Sequence, residues 1–205
     1  MKKLELLLGV IFLFGLLLFI FNIPGATIGI VLSTLTISMI YCYFGFALFN
    51  NIRLRKIFKK ESYKGISTLK IIFSVLTGLA ISALVIGIMF KIQRYPGATV
   101  TIWTGLIGTF IALGLSLIKI ENTNSEPYRN IVKRSIIWLI PALILILVPD
   151  KSIISFKYRD QPQVLKAFEK AWADPTNMEL WNEVDNEINK SQMGNEYGKN
   201  KKEKQ

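Results

Sequence analysis

Pro24-Gly25-Ala26-Thr27 returns as Pro96-Gly97-Ala98-Thr99, an offset of 72 residues (96 − 24), and each copy lies between two long uncharged apolar runs. A phrase repeated at fixed spacing in the same setting indicates an internal duplication. At the same offset Leu7 matches Leu79, Gly15 matches Gly87, Ile20 matches Ile92 and Ile30 matches Ile102. The repeated unit reads as a hairpin of two apolar helices bent at Pro-Gly.

Outward from the two bends, the positions of the charges set the number of helices. Of 205 residues 51% are hydrophobic, and no Asp, Glu, Lys or Arg occurs in 6–52, 71–90, 95–118 or 135–149. Crossing a hydrocarbon layer about 30 Å thick takes roughly 20 apolar residues of helix. The first run holds two crossings and the others one each. The last is completed by Ile131 and Val132, with Lys133 and Arg134 reaching back to the interface. The expected spans are 4–23, 27–49, 71–90, 99–118 and 131–149, the last carrying a kink at Pro141.

The fold class is therefore all-α: a polytopic integral membrane protein with five transmembrane helices, two tandem hairpins plus one, and a small C-terminal helical tail. The expected parts are a first hairpin at 1–50, a basic loop at 51–70, a second hairpin at 71–118 and a loop at 119–130. A fifth helix at 131–149, a helical tail at 150–193 and a disordered, lysine-rich end at 194–205 complete the chain. Met1-Lys2-Lys3 resembles the start of a secretory leader. The apolar run is too long for one and no small-residue cleavage site follows, so it reads as an anchor.

Lys and Arg in the short loops give the orientation. Two lie in 1–4, seven in 51–70 and four in 119–134, against Lys91 and Arg94 on the other side. The N-terminus and both basic loops are expected in the cytoplasm, both Pro-Gly bends outside, and the tail, after an odd number of crossings, outside as well. The net charge of +11 belongs to the apolar part, because the tail from Asp150 has ten basic and ten acidic residues. Basic juxtamembrane loops are attracted to anionic lipid by about 1 kcal/mol per residue. That accounts for the excess without nucleic acid as a partner.

Cys42 is the single cysteine and histidine is absent, so neither an intrachain disulfide nor histidine ligation is available. No constellation of nucleophile, base or metal ligands is found. The expectation is no catalytic residue, no cofactor and no metal. Glu5, at the edge of the first span beside Lys2 and Lys3, reads as a solvated end residue.

Pro24-Gly25 and Pro96-Gly97 suit a tight bend, with proline setting φ at the first turn position and glycine taking the positive φ of a type II turn. Alternatively each proline opens the following helix. Lipid-embedded helices associate through close packing and polar contacts, and small residues recur at helical spacing. Ala83 and Gly87 do so in the third span, Gly108, Ala112 and Ser116 in the fourth, and Thr34, Ser38 and Cys42 in the second. These are the expected helix-packing faces, within the chain or between copies. Trp103, Tyr95, Tyr41 and Tyr43 read as interfacial or packing aromatics.

The second bend reads Phe90-Lys91-Ile92-Gln93-Arg94-Tyr95-Pro96-Gly97-Ala98. It resembles the hairpin of the GldL family, membrane subunits of the bacterial gliding-motility and type IX secretion motor. Phe90, Lys91, Ile92, Tyr95, Pro96, Gly97 and Ala98 fit, while Arg94 stands where that family favours histidine; the first copy keeps Ile20, Pro24, Gly25 and Ala26. The resemblance covers about half the chain and implies a bacterial inner-membrane protein with a cytoplasmic N-terminus. It does not extend to motor activity, since the family's intramembrane glutamate and long cytoplasmic domain have no counterpart here.

After Pro149 the composition turns polar. Ile154, Phe156 and Tyr158 alternate, as in a short strand or an interfacial segment. Pro162 opens a helix with Val164, Leu165, Phe168 and Trp172 on one face. Asp174-Pro175 reads as an N-cap and first helical residue, and the next helix aligns Trp181, Val184 and Ile188. Phe168, Trp172, Trp181, Val184 and Ile188 are the candidate partner-binding residues, for docking on the membrane part, for self-association or for a separate protein. The expected function is a non-enzymatic structural or assembly subunit of a membrane complex, with a membrane-protein partner or homo-oligomer. A small-solute transporter or channel component is the alternative.

Overall fold

Long uncharged stretches of Leu, Ile, Phe and Ala leave the backbone one way to satisfy its polar groups without water, the α-helix. A computed structural model describes the chain from Lys2 to Lys202 except Asn22, Pro24, Phe58, Gly65, Pro96, Asn124 and Ser125. Five helices are long and apolar enough to cross a membrane: α1 (Lys2–Ile20), α2 (Ala26–Phe49), α3 (Thr68–Gln93), α4 (Ala98–Thr123) and α5 (Glu126–Leu147). Three more follow: α6 (Asp150–Lys157), α7 (Pro162–Ala173) and α8 (Met178–Lys202). The described residues contain no strand. The chain divides into two units, Met1–Pro149 and Asp150–Gln205.

The two bends have the same backbone. Gly25 and Gly97 take φ of 88° and 81°, and Ala26 and Ala98 donate to Ile23 and Tyr95 at 3.3 Å. Ile23 donates to Leu18 at 3.0 Å and Tyr95 to Phe90 at 2.9 Å, again residues 72 apart (95 − 23). A positive φ in the residue before the closing N–H is the type II arrangement, where glycine avoids the Cβ clash. Helices α2 and α4 start at Ala26 and Ala98, two residues past each proline. Pro24 and Pro96 themselves lie outside the described residues.

Helices α1 to α4 pack in chain order, each antiparallel to the next, and the pairing of small residues fixes the seams. A methyl group at Gly87 would come within 2.5 Å of Ile102 Cα, one at Gly105 would overlap the Leu84 backbone, and one at Gly108 would meet Ala80 Cβ at 2.9 Å. On the other side of α3, Gly78 lies against the Tyr41 carbonyl and Gly45 of α2. Gly15 of α1 faces Ile30 of α2, as Gly87 faces Ile102. Helix α5 runs parallel to α1, with Phe12 against Trp138, and parallel to α3, with Phe73 against Tyr128.

The outer surface of the bundle is apolar. Leu6, Leu7, Val10, Leu13, Phe14 and Leu17 of α1 are all exposed, as are Ile107, Ile111, Leu115 and Ile118 of α4. A continuous surface of this kind marks a membrane or protein contact in a folded chain.

Several boundaries differ from expectation. Helices α4 and α5 occupy most of 119–130, read as a loop, and α5 starts at Glu126 and ends at Leu147 rather than spanning 131–149. Charge marks where the apolar layer ends, whereas a helix continues while its backbone bonds do, and Pro127 is tolerated in a first turn. Pro141 sits within the continuous α5. Residues 150–157 form α6 rather than a strand: Ile154 and Tyr158, four apart, share the buried face while Phe156 is exposed. Helix α8 is capped by Asn177, whose Oδ1 accepts from Glu179 N–H at 3.0 Å, and Asp174 instead closes α7. Its backbone continues to Lys202, into the segment expected to be disordered.

Candidate functional site

A carboxylate inside an apolar helix needs a partner, because an unpaired ion away from water costs several kcal/mol. Glu5 lies one turn into α1, and its partner is Arg134, about two turns into α5. The two side chains are 18% and 9% exposed. Arg134 Nε donates to Glu5 Oε1 at 2.8 Å and Nη2 to Oε2 at 2.9 Å, a bidentate fork. Nη1 donates to the Asn130 carbonyl at 3.3 Å, closing the third side of the guanidinium.

The second helix completes the cluster. Tyr41 of α2 donates its hydroxyl hydrogen to Glu5 Oε1, and Trp138 Nε1 of α5 donates to the Tyr41 oxygen at 3.3 Å. The Phe49 ring lies 5.9 Å from the guanidinium carbon. Asn130 Nδ2 donates to the Phe49 carbonyl at 2.8 Å, satisfying a terminal carbonyl of α2, and Asn51 Nδ2 donates to Glu126 at 2.9 Å. Helices α1, α2 and α5 are thus joined at the end where α1 starts and α2 stops. Along the α2–α3 seam, the Ser38 and Ser82 hydroxyls meet at 2.7 Å and Asn50 Nδ2 donates to Ser74 Oγ at 3.1 Å.

This arrangement corrects the sequence reading of two residues. Glu5 is not a solvated end residue beside Lys2 and Lys3, and Arg134 does not reach back to the interface. Their separation of 129 residues hides the pairing from any local pattern. One signal was present: Ile131, Ser135 and Trp138 surround Arg134 on the helical wheel, so the cation lies on the face that packs inward. Tyr41, read as a packing aromatic, is buried but also carries a polar contact.

The other candidate residues fall in two places. Gly87, Gly108, Ala112 and Ser116 lie within the bundle, Gly87 and Gly108 directly on the α3–α4 seam; Ala83 is half-buried beside it. In the tail, Phe168 and Val184 are buried in a core shared with Ile154, Tyr158 and Val164. Trp172, Trp181 and Ile188 pack against that core and stay partly exposed. Phe168 stacks on Trp172 at 5.5 Å and meets the edge of Trp181 at 6.5 Å. Helix α6 thus provides the third element that covers the α7–α8 pair, which two helices alone leave open.

Chemically, the Glu5–Arg134 cluster is a clamp. Both carboxylate oxygens accept charge-assisted bonds from a guanidinium that keeps its proton at any physiological pH. No group of three metal-ligating side chains occurs among the described residues. Compared with protein-family models, curated proteins and solved structures, the chain matches none.

Proposed function

We propose that the chain is a non-catalytic structural or assembly subunit of a bacterial inner-membrane complex. It would be built on a duplicated GldL-like hairpin, with its N-terminus in the cytoplasm and its tail outside. The observation that carries this reading is the Glu5–Arg134–Tyr41 cluster, in which the buried charges tie three helices to one another. A carboxylate held by a bidentate guanidinium and a phenol is poorly placed to carry protons, which weighs against a pump or motor role. The matching bends and the like placement of Gly15 on Ile30 and Gly87 on Ile102 support the duplication. Crosslinking in native membranes followed by copurification tests the proposal. A stable neighbour is expected, lost when 161–192 is deleted; a partner-free monomer would overturn it.

One observation favours the alternative, a small-solute transporter or channel component. The Thr109, Ser116 and Ser135 hydroxyls are buried without a hydrogen-bond partner among the described residues, and polar atoms of this kind line solute paths. Flux through reconstituted vesicles no greater than through empty ones excludes it.

A further inference from the structure

The segment joining α2 to α3 carries seven of the chain's cations and has a built shape that neither the bundle nor the clamp uses. Helix α2 ends with Asn51 in the left-handed region at φ 55° and Ile52 donating to the Ala47 carbonyl at 2.8 Å, a C-terminal motif in which asparagine is the usual substitute for glycine. The backbone then curls through successive three-residue turns: Lys56 donates to Arg53 at 2.8 Å, Lys59 to Lys56 at 3.1 Å and Ser62 to Lys59 at 3.0 Å. These turns wrap a cavity of about 650 Å³, lined among others by Arg53, Lys56, Lys59, Glu61 and Ser62.

Three cations and one carboxylate therefore face one concavity. Among the described residues no carboxylate forms an ion pair with Arg53, Lys56 or Lys59. Three like charges gathered around a cavity repel one another unless something anionic enters. The half-charge at the C-terminus of α2 offsets part of one of them. The remaining excess is near that of a phosphate group, and the chemistry fits: Arg53 presents a planar fork of donors, Lys56 and Lys59 are point charges, and Ser62 adds a hydroxyl. The volume lies within the range that holds a small ligand.

We propose that this cavity is a phosphoryl-binding site, occupied either by the headgroup of an anionic phospholipid or by a soluble phosphorylated compound. The inference stands apart from the subunit role proposed above; only the lipid source depends on the bundle spanning a membrane.

Two arms separate the sources, both using the full-length protein. In the first, native mass spectrometry measures retention of phosphatidylglycerol against phosphatidylcholine in mixed micelles. In the second, binding of inorganic pyrophosphate is measured in nanodiscs of phosphatidylcholine alone. Saturable one-to-one binding is expected in at least one arm: the first identifies a lipid headgroup and the second a soluble phosphate. Arg53→Gln combined with Lys56→Gln and Lys59→Gln is expected to weaken that binding at least tenfold. A Lys64→Gln, Lys70→Gln control, which removes charge from the same segment outside the cavity lining, should change it less than twofold. Glu61→Gln removes the one lining carboxylate and should tighten binding, a gain that misfolding cannot mimic. The proposal is overturned if neither arm saturates, if the control loses as much as the cavity variant, or if Glu61→Gln weakens binding.

Discussion

Arg134 and Glu5 illustrate how a buried ion pair differs from its two halves. Forming the pair removes two charges from water, so its net contribution is small; removing one partner leaves the other unsolvated and costs about 3–5 kcal/mol. With Glu5 18% exposed, Arg134→Ala is expected at the lower end of that range, read as a lower unfolding midpoint in detergent. Arg134→Met together with Glu5→Leu should recover much of the loss, since neither charge is then stranded. A double-mutant cycle measures this as a coupling energy above about 1 kcal/mol. Single variants that unfold like the wild type would show the pair to be inert. At this scale the sequence was only half legible. It marked Glu5 as the one carboxylate in an apolar segment, but a pairing across 129 residues depends on the register of α5 against α1, which no local spacing encodes.

At the scale of elements, glycine sets how closely helices approach, and the α3–α4 seam offers a paired test. Dispersion and backbone approach replace the hydrophobic effect as the source of helix association in lipid. Ile102 Cα lies 2.5 Å from where a Gly87 side chain would start, so Gly87→Ala must separate the backbones. A cost of about 1–3 kcal/mol is expected, as for other overpacked sites. Gly114, on the same helix as Ile102, has nothing within 4 Å, so Gly114→Ala should be neutral in the same thermal assay. Equal losses in both would mean that helix propensity, not the seam, governs. The five apolar helices could be read in advance because each needs only an unbroken run of suitable length. Their ends could not, because α4 and α5 continue past the apolar layer into polar sequence that still favours helix. The tail's first segment was misjudged for another reason: Ile154, Phe156 and Tyr158 satisfy a period of two, yet Ile154 and Tyr158 also fit a period near four. Packing against Val164 and Phe168 selected the second.

For the whole molecule, the decisive quantity is which side of a membrane each end occupies. Seven cations between α2 and α3, with Lys119, Arg129, Lys133 and Arg134 around the α4–α5 connection, stand against Lys91 and Arg94 near the second bend. The bias in retained positive charge orients short loops inward. Burial of Arg134 in the clamp removes one of these from the surface without changing the sign of the bias. An odd number of crossings then carries Asp150 and everything after it to the outside. The single cysteine makes this measurable: with Cys42→Ala as background, Asn182→Cys places one exposed thiol on α8 and Lys59→Cys places one between α2 and α3. An impermeant maleimide applied to intact spheroplasts is expected to label position 182 at once and position 59 only after the membrane is opened. The reverse pattern would put the tail with the basic loops. The net charge of the tail would then no longer be separated from the cationic face, and a partner for Trp172 and Trp181 would have to be sought in the cytoplasm.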